Sequence, residues 1–368
     1  MARGVVVVYF SRLGGRLRGD QKIMLDADAQ LIAKLKGYDF RGHYEAAHDY
    51  SASIFFVPDD VLVREEASAL GVRGPNDVYG GVVPHPFVKT KAITHQLIDS
   101  DAQRPQGWSA AFAEKVRDVT LAGYTVFNAD DARLAAQRML HRGPVRLKQP
   151  LGASGRGQTL VTTLDQLERF LQQFDADEMA TYGLVLEENL REVTTLSVGH
   201  IAVDSLMMTY YGTQRRVQDN DGRAIYGGSG LVCVRGGWEA LEALALTPES
   251  RAAVAQAKLY DQSMGEYPGF LASRRNYDVA QGIDIDGRHR SGVLESSWRA
   301  GGASSAELAA LAAFAQNPAL QIVEASAVEE FGRAHAAPAD AIIHFAGEDP
   351  ELGPLLRYTV VKRKSSTG

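Results

Sequence analysis

The sequence predicts a multidomain α/β protein, and three observations carry that reading. An apolar, β-branched run opens the chain, strand-like and helix-like periods alternate over the first half, and the second half is strand-rich with glycine turns. Residues 4–10 form a continuous apolar run, as in a buried parallel strand. Residues 23–35 carry helical spacing, and residues 54–57 are a second apolar run. Asp59 and Asp60 stand where they can cap a helix over residues 61–70. This order predicts a small doubly wound unit over residues 1–85. Its first turn holds Gly14-Gly15 without a G-x-G-x-x-G fingerprint, which argues against dinucleotide binding there.

Residues 88–98 and 108–122 read as helical, separated by a breaker at residues 105–107. A compact alternation follows: strand 124–127, helix 130–140, strand 145–149, a glycine loop, strand 158–162, helix 164–174 and strand 184–188. Beyond residue 193 strands dominate, with turns at Gly227-Gly228-Ser229-Gly230 and Gly236-Gly237. A helix near residues 304–316 and a last strand over residues 357–361 close the chain. The expected division is an α/β domain over 1–85, a helical linker with a small lid subdomain over 86–190, and a C-terminal subdomain with a metal site over 191–368.

Composition narrows the function classes. The 368 residues are 45% hydrophobic and 23% charged, ordinary for a chain that buries a core. A net charge of −6 argues against a nucleic-acid partner. The basic tail Lys362-Arg363-Lys364 reads as a solvated terminus. The single cysteine, Cys233, lies in the apolar run Leu231-Val232-Cys233-Val234, so neither an internal disulfide nor a cysteine metal framework is expected. Residues 5–10 are shorter than a signal-peptide core, and no window reaches the roughly 18–20 apolar residues of a membrane span. A cytoplasmic protein with no membrane partner is expected; a homodimer is left open.

Two segments look chemical. The first is Gly152-Ala153-Ser154-Gly155-Arg156-Gly157-Gln158-Thr159, close to a phosphate-binding P-loop. Gln158 stands where that motif needs lysine, and a strand rather than a helix follows, so the P-loop is rejected. A strand–loop–strand hairpin remains, with Lys148 on the strand entering it and facing away from Leu147. A cation beneath a tip of small residues can hold phosphates, because glycines let backbone N–H groups approach oxygens; a surface hairpin with a solvated lysine is the alternative. The second segment holds Asp278 and Glu295 on either side of the Asp286-Gly287 turn signal. Folding that hairpin brings the two carboxylates together, where they repel unless a cation lies between them. Magnesium suits such a pair, and Arg299 can add a fork of donors to the same phosphates. Solvent-facing acids on an edge hairpin are the alternative, and Asp284 and Asp286 are expected in the turn itself.

Taken in order, these segments resemble the ATP-grasp superfamily. The resemblance spans roughly residues 90–305, with residues 1–85 resembling a pre-ATP-grasp domain. Segments such as Val88-Lys89-Thr90-Lys91-Ala92-Ile93-Thr94-His95 and Tyr226-Gly227-Gly228-Ser229-Gly230 are also similar to a related bacterial family, the domain of unknown function 3182 (DUF3182). The resemblance implies an α/β (α+β) ATP-grasp fold, ATP and Mg2+ as cofactors, and small-molecule carboxylate and amine substrates. It implies phosphate contacts from Lys148 and from Gly152, Ser154, Gly155, Arg156 and Gly157. It places adenine at the hinge Val185-Leu186-Glu187-Glu188-Asn189-Leu190, with Glu192 near the ribose, and metal ligands at Asp278, Glu295 and Ser297. A further phosphate lysine is expected at Lys115 or Lys91, with spacing favouring Lys115. Ser297 replaces the usual asparagine and Thr195 the usual ribose-binding acid. The implied activity is an ATP-dependent carboxylate–amine ligase with Lys148 and Arg299 catalytic. A phosphotransferase on the same fold, a non-catalytic nucleotide-binding module and a purely structural protein are the alternatives. Arg215, Arg216 and Arg235 are candidate clamps for a carboxylate substrate.

Overall fold

The computed structural model describes residues 4–12, 14, 15, 17–152 and 157–364, without the side chains of Arg363 and Lys364. Its N-terminal sheet is parallel, with Gly4–Tyr9 between Asp39–His43 and Ser53–Pro58. The valines explain the central position. Val6 and Val8 pack on helix Gly19–Lys36, while Val5 and Val7 pack on Phe56, Leu62 and Val82. Asp59 and Asp60 do not cap the following helix, which begins later, at Arg64–Ala69. Asp59 instead accepts from the Ser11 amide at 2.7 Å, and Asp60 pairs with Lys89 at 2.6 Å.

In place of the helix expected over residues 88–98 stand two 3-10 turns, Pro86–Lys89 and Lys91–Thr94. The expected alternation then forms a four-stranded antiparallel sheet ordered Gly123–Val126, Leu184–Glu188, Val145–Lys148, Gln158–Val161. Helices Ala129–Leu140 and Leu164–Leu171 cover one face through Ala132, Ala136, Leu147, Leu167 and Leu186. Asn128 and Thr163 cap these helices by accepting from Asp131 N and Gln166 N, each cap worth about 1 kcal/mol. The opposite face carries Lys148.

The C-terminal half is an eight-stranded antiparallel sheet. Its order is His289–Ser297, Arg274–Ile283, Arg191–Val203, Leu206–Gln218, Ala224–Arg235, Ile322–Phe331, Gly353–Lys364, Ile342–Asp349. Period-2 alternation divides its residues between two cores. Ile201, Tyr210, Cys233 and Ala325 face helix Ser304–Gln316 and the N-terminal sheet. Leu196, Val198, Tyr277 and Val279 face helix Pro248–Ser263. Cys233 is fully buried and its thiol is pushed up by that burial, as expected of a packing residue.

The chain is interleaved rather than strung in series. Gly81–Val83 pairs with Leu271–Ala272, next to the start of Arg274–Ile283. Gly80 holds φ +121°, and a Cβ there would lie 2.7 Å from Trp298 O; one on Gly81 would lie 2.8 Å from Trp298 Cβ. Among the described residues, no helix is long and apolar enough to cross a membrane.

Candidate nucleotide and metal site

Residues 90–95 are wedged between the four-stranded and eight-stranded sheets. Thr125 donates to Ala92 O at 2.6 Å, and the Thr94 hydroxyl lies 3.1 Å from that of Tyr260. From this wedge Lys91 and His95 reach opposite ways, one toward each candidate group.

On the lid side, Lys148 is buried and pairs with Glu187 of the hinge strand. His95 Nε2 lies 3.0 Å from the other Glu187 oxygen. Burial pushes the Glu187 carboxyl up, but Lys148 and His95 outweigh it and hold it down at about 2. The hinge residues diverge from there. Glu188 accepts from Ala122 N at 2.9 Å and meets Arg290 at 3.1 Å, while Asn189 accepts from Arg146 at 2.5 Å. Leu190 packs with Leu121, Ala280 and Leu294, an apolar bridge from hinge to late hairpin. Glu192 is exposed and holds φ +54°, a left-handed conformation uncommon for a side chain with a Cβ. The glycine loop is closed at its root, where Gln149 N donates to Gly157 O at 2.8 Å and Gly157 takes φ +70°. Ser154, Gly155 and Arg156 lie outside the described residues.

On the late hairpin, Asp278 and Glu295 are cross-strand partners. The turn forms because Asp284 accepts from the amides of Asp286 and Arg288, and Gly287 supplies φ +81°. Asp278 Oδ1 accepts from Ser197 at 3.1 Å and from Asn276 at 2.9 Å, and Gln214 donates to Ser197 at 3.0 Å. All of these partners are neutral. Burial and then the facing Glu295 raise the Asp278 carboxyl above the usual range. Burial also raises Glu295, but Lys91, Lys148 and Arg299 together bring it below the usual range. Lys91 Nζ lies 2.7 Å from Glu295 Oε2 and donates at 2.7 Å to Gly152 O.

The early lysine, the glycine-loop root, both late carboxylates and Arg299 are therefore brought into one neighbourhood, linked through Lys91 and Glu295. Lys115, favoured by spacing, is not brought there: it is exposed on helix Ala110–Val116 and paired with Glu266. Lys91, the other candidate, is the lysine that reaches Glu295 and the loop root. The three candidate clamp arginines differ. Arg235 closes the C-terminal end of helix Ser304–Gln316 by donating to Phe314, Leu320 and Asn317 carbonyls at 2.7, 3.0 and 3.2 Å, so it serves packing and not a substrate. Arg215 donates to Gly227 and Glu329 carbonyls, and Arg216 to that of Ala224. Ser297 ends the hairpin, with its carbonyl accepting from Arg274 at 3.2 Å.

Arg274 anchors a support beneath the carboxylates. It is buried, forms two 2.7 Å bonds to the buried Glu307 and donates to Arg299 O at 2.6 Å. The Tyr210 hydroxyl donates to Glu307 at 2.6 Å and lies 2.9 Å from Asn276 Oδ1. A chain thus runs from Glu307 through Tyr210 and Asn276 to Asp278. Sequence reasoning missed Asn276, Ser197, Gln214 and His95. Only Asn276 had a legible signal, standing two residues before Asp278 on the same strand face.

The donor set fits a magnesium ion: two carboxylates opposite each other, one held only by neutral donors. No three His, Cys, Asp or Glu side chains gather as a ready-made metal site among the described residues. A metal held by this pair would take its remaining oxygens from water or from a bound molecule.

Comparison with known proteins agrees with the architecture. A family described as a protein of unknown function, DUF3182, matches residues 18–359. No curated protein matches the sequence. An N5-carboxyaminoimidazole synthetase from Staphylococcus aureus complexed with ADP is 12% identical, with TM-score 0.54 over 98% of this chain and 94% of that one. Phosphoribosylamine–glycine ligase from Thermotoga maritima is 14% identical, with TM-score 0.52 over 98% and 92%. A biotin carboxylase–β,γ-ATP complex from Campylobacter jejuni is 12% identical, with TM-score 0.52 over 99% and 88%. The fold shared with these structures is the ATP-grasp fold.

Proposed function

The chain belongs to the DUF3182 family and carries the ATP-grasp fold, and we propose that it is an ATP- and magnesium-dependent ligase. In this reading it activates a small-molecule carboxylate as an acyl phosphate for attack by an amine. The observation that carries the reading is that Lys91 pairs with Glu295, the cross-strand partner of Asp278, while Lys148 and Arg299 from two other stretches of chain are near enough to hold the Glu295 carboxyl down. Three cations around two acids form a cradle for a polyphosphate, and the two acids form one for its metal.

The roles follow from charge and position. Lys91, Lys148 and the root of the glycine loop hold phosphate oxygens, while the hinge from Glu187 to Leu190 and the apolar bridge under Leu190 border the base. Magnesium, held by Asp278 and Glu295, supplies neutralisation of the charge on the phosphates. A substrate carboxylate oxygen bonds to the terminal phosphorus as the bond to the bridging oxygen breaks, and ADP leaves with that electron pair. Arg299 faces the charge spread over the transferred group. The amine then adds to the acyl carbon, phosphate departs with its bonding pair, and the amine nitrogen loses a proton. The chain's part is positioning and charge matching.

Lys148→Met tests this assignment. ADP release in the presence of the cognate carboxylate and amine is expected to fall by roughly 10²–10³-fold, the scale of removing one charge-stabilising donor. The ATP analogue is expected to lose most of its stabilising thermal shift. Unchanged ADP release would sink the ligase reading. ADP release with a phosphorylated acceptor and no amide product would instead identify a phosphotransferase.

A further inference from the structure

We propose that Lys91 is an internal counter-cation that occupies Glu295 until a polyphosphate draws it away, so that divalent metal joins the site only together with nucleotide. The inference rests on the nucleotide reading above and adds to it an order of binding.

Lys91 is 5% exposed, and its ammonium has two oxygen partners, Glu295 Oε2 and Gly152 O, each at 2.7 Å. A buried ammonium this short of water needs such partners, because leaving it unpaired costs several kcal/mol. Glu295 in turn has its charge matched by Lys91. A metal ion approaching the nucleotide-free protein therefore meets one anionic ligand already taken.

Lys91 cannot simply turn to solvent. It needs another anion, and a phosphate oxygen is the one that the cleft is built to receive. The exchange then releases Glu295 for metal in the same step that fills the lysine's own demand. The bond to Gly152 O ties this exchange to the root of the glycine loop, so the lysine connects loop, metal acid and phosphate. Lys148 does not share the role. Its carboxylate partner, Glu187, carries His95 on its second oxygen and is not one of the two proposed metal acids.

The experiment is a Mn2+ titration of the full chain by electron paramagnetic resonance, with and without a non-hydrolysable ATP analogue. Wild type, Lys91→Met, Lys91→Gln and Lys91→Met/Glu295→Gln are compared. Wild type is expected to bind Mn2+ at least about tenfold more weakly without the analogue than with it. Lys91→Met is expected to bind Mn2+ alone about tenfold more tightly than wild type, with the gain lost when Glu295→Gln is added. Lys91→Gln, which keeps a donor without the charge, is expected to lie between and covers the case in which the methionine variant does not fold. Equal Mn2+ affinity in wild type with and without the analogue would overturn the proposal. So would an unchanged nucleotide-free Mn2+ affinity in either lysine variant. Failure of the nucleotide reading shows separately, as the absence of analogue binding to wild type by calorimetry.

Discussion

Glu187 and Asp278 border the same cleft and carry the same functional group, yet their surroundings act on them in opposite directions. Glu187 lies between Lys148 and His95 and is held at about 2. Asp278 faces another acid, receives only neutral donors, and is raised. The difference teaches that Glu187 sits in a completed charge pair, whereas on the late hairpin Lys91 answers Glu295 and Asp278 is left with neutral donors. A completed pair belongs to the scaffold until a ligand competes for it. An acid held by neutral donors opposite a second acid is a site in waiting, and its cost in the free protein is the driving force for filling it.

Three changes break or sharpen this comparison. The largest effect is expected from Arg274→Met, which leaves Glu307 buried without its partner and removes the support under Asp278. Breaking such a pair costs about 3–5 kcal/mol. Urea unfolding reads it, and a loss below about 1 kcal/mol would mean that the network carries little of the hairpin's position.

Glu187→Gln comes next. The folded carboxyl is depressed from 4.5 to about 2, so its contribution is present above pH 4.5 and is lost as pH falls toward 2. That shift corresponds to on the order of 3 kcal/mol. The variant is expected to lose a comparable amount at pH 7 and to show a flatter stability profile below pH 4.5. A wild-type profile kept intact by the glutamine would remove the ion pair from the account.

The smallest effect, with the opposite sign, is expected from Asp278→Asn. Because the folded Asp278 carboxyl is raised, its ionised form weakens the free protein. Wild type therefore gains stability as pH falls through that raised value toward the ordinary carboxylate range. The asparagine variant is expected to lack this slope and to be about 1 kcal/mol more stable than wild type at pH 7. It is also expected to lose Mn2+ binding in the presence of nucleotide analogue. A free protein destabilised by Asp278→Asn would show that the acid is structural.

Local signals were legible where backbone chemistry dictates them. Asp286-Gly287 announced the turn that sets Asp278 against Glu295, and the apolar run ending in Glu187 announced the strand Leu184–Glu188. Alternation correctly separated Leu147 from Lys148. What escaped was whatever depends on long-range packing. Lys115 and Lys91 differ little in sequence, and only the 3-10 turns at residues 86–94 decide which one enters the cleft. Ser197 and Gln214 serve Asp278 from neighbouring strands, and a neutral side chain on a strand gives no sign of its partner across the sheet. Asp59 and Asp60 looked like helix caps because their local context is that of caps; the Ser11 amide and Lys89, distant in sequence, claim them instead. Arg235 looked like a candidate carboxylate clamp because the helix end that it closes, beginning 79 residues later at Phe314, is invisible from its own strand.

Gly80 and Gly81 carry a consequence for how such a protein can be altered. Their missing side chains let the N-terminal unit lie directly against Trp298, the residue before Arg299. A chimera that replaced the first domain with one from another enzyme would have to bring two glycines at this seam, or else displace the arginine turn. Exchange of the N-terminal unit and alteration of Arg299 are thereby mechanically linked, so recombination at this junction is constrained by steric fit as well as by chemistry.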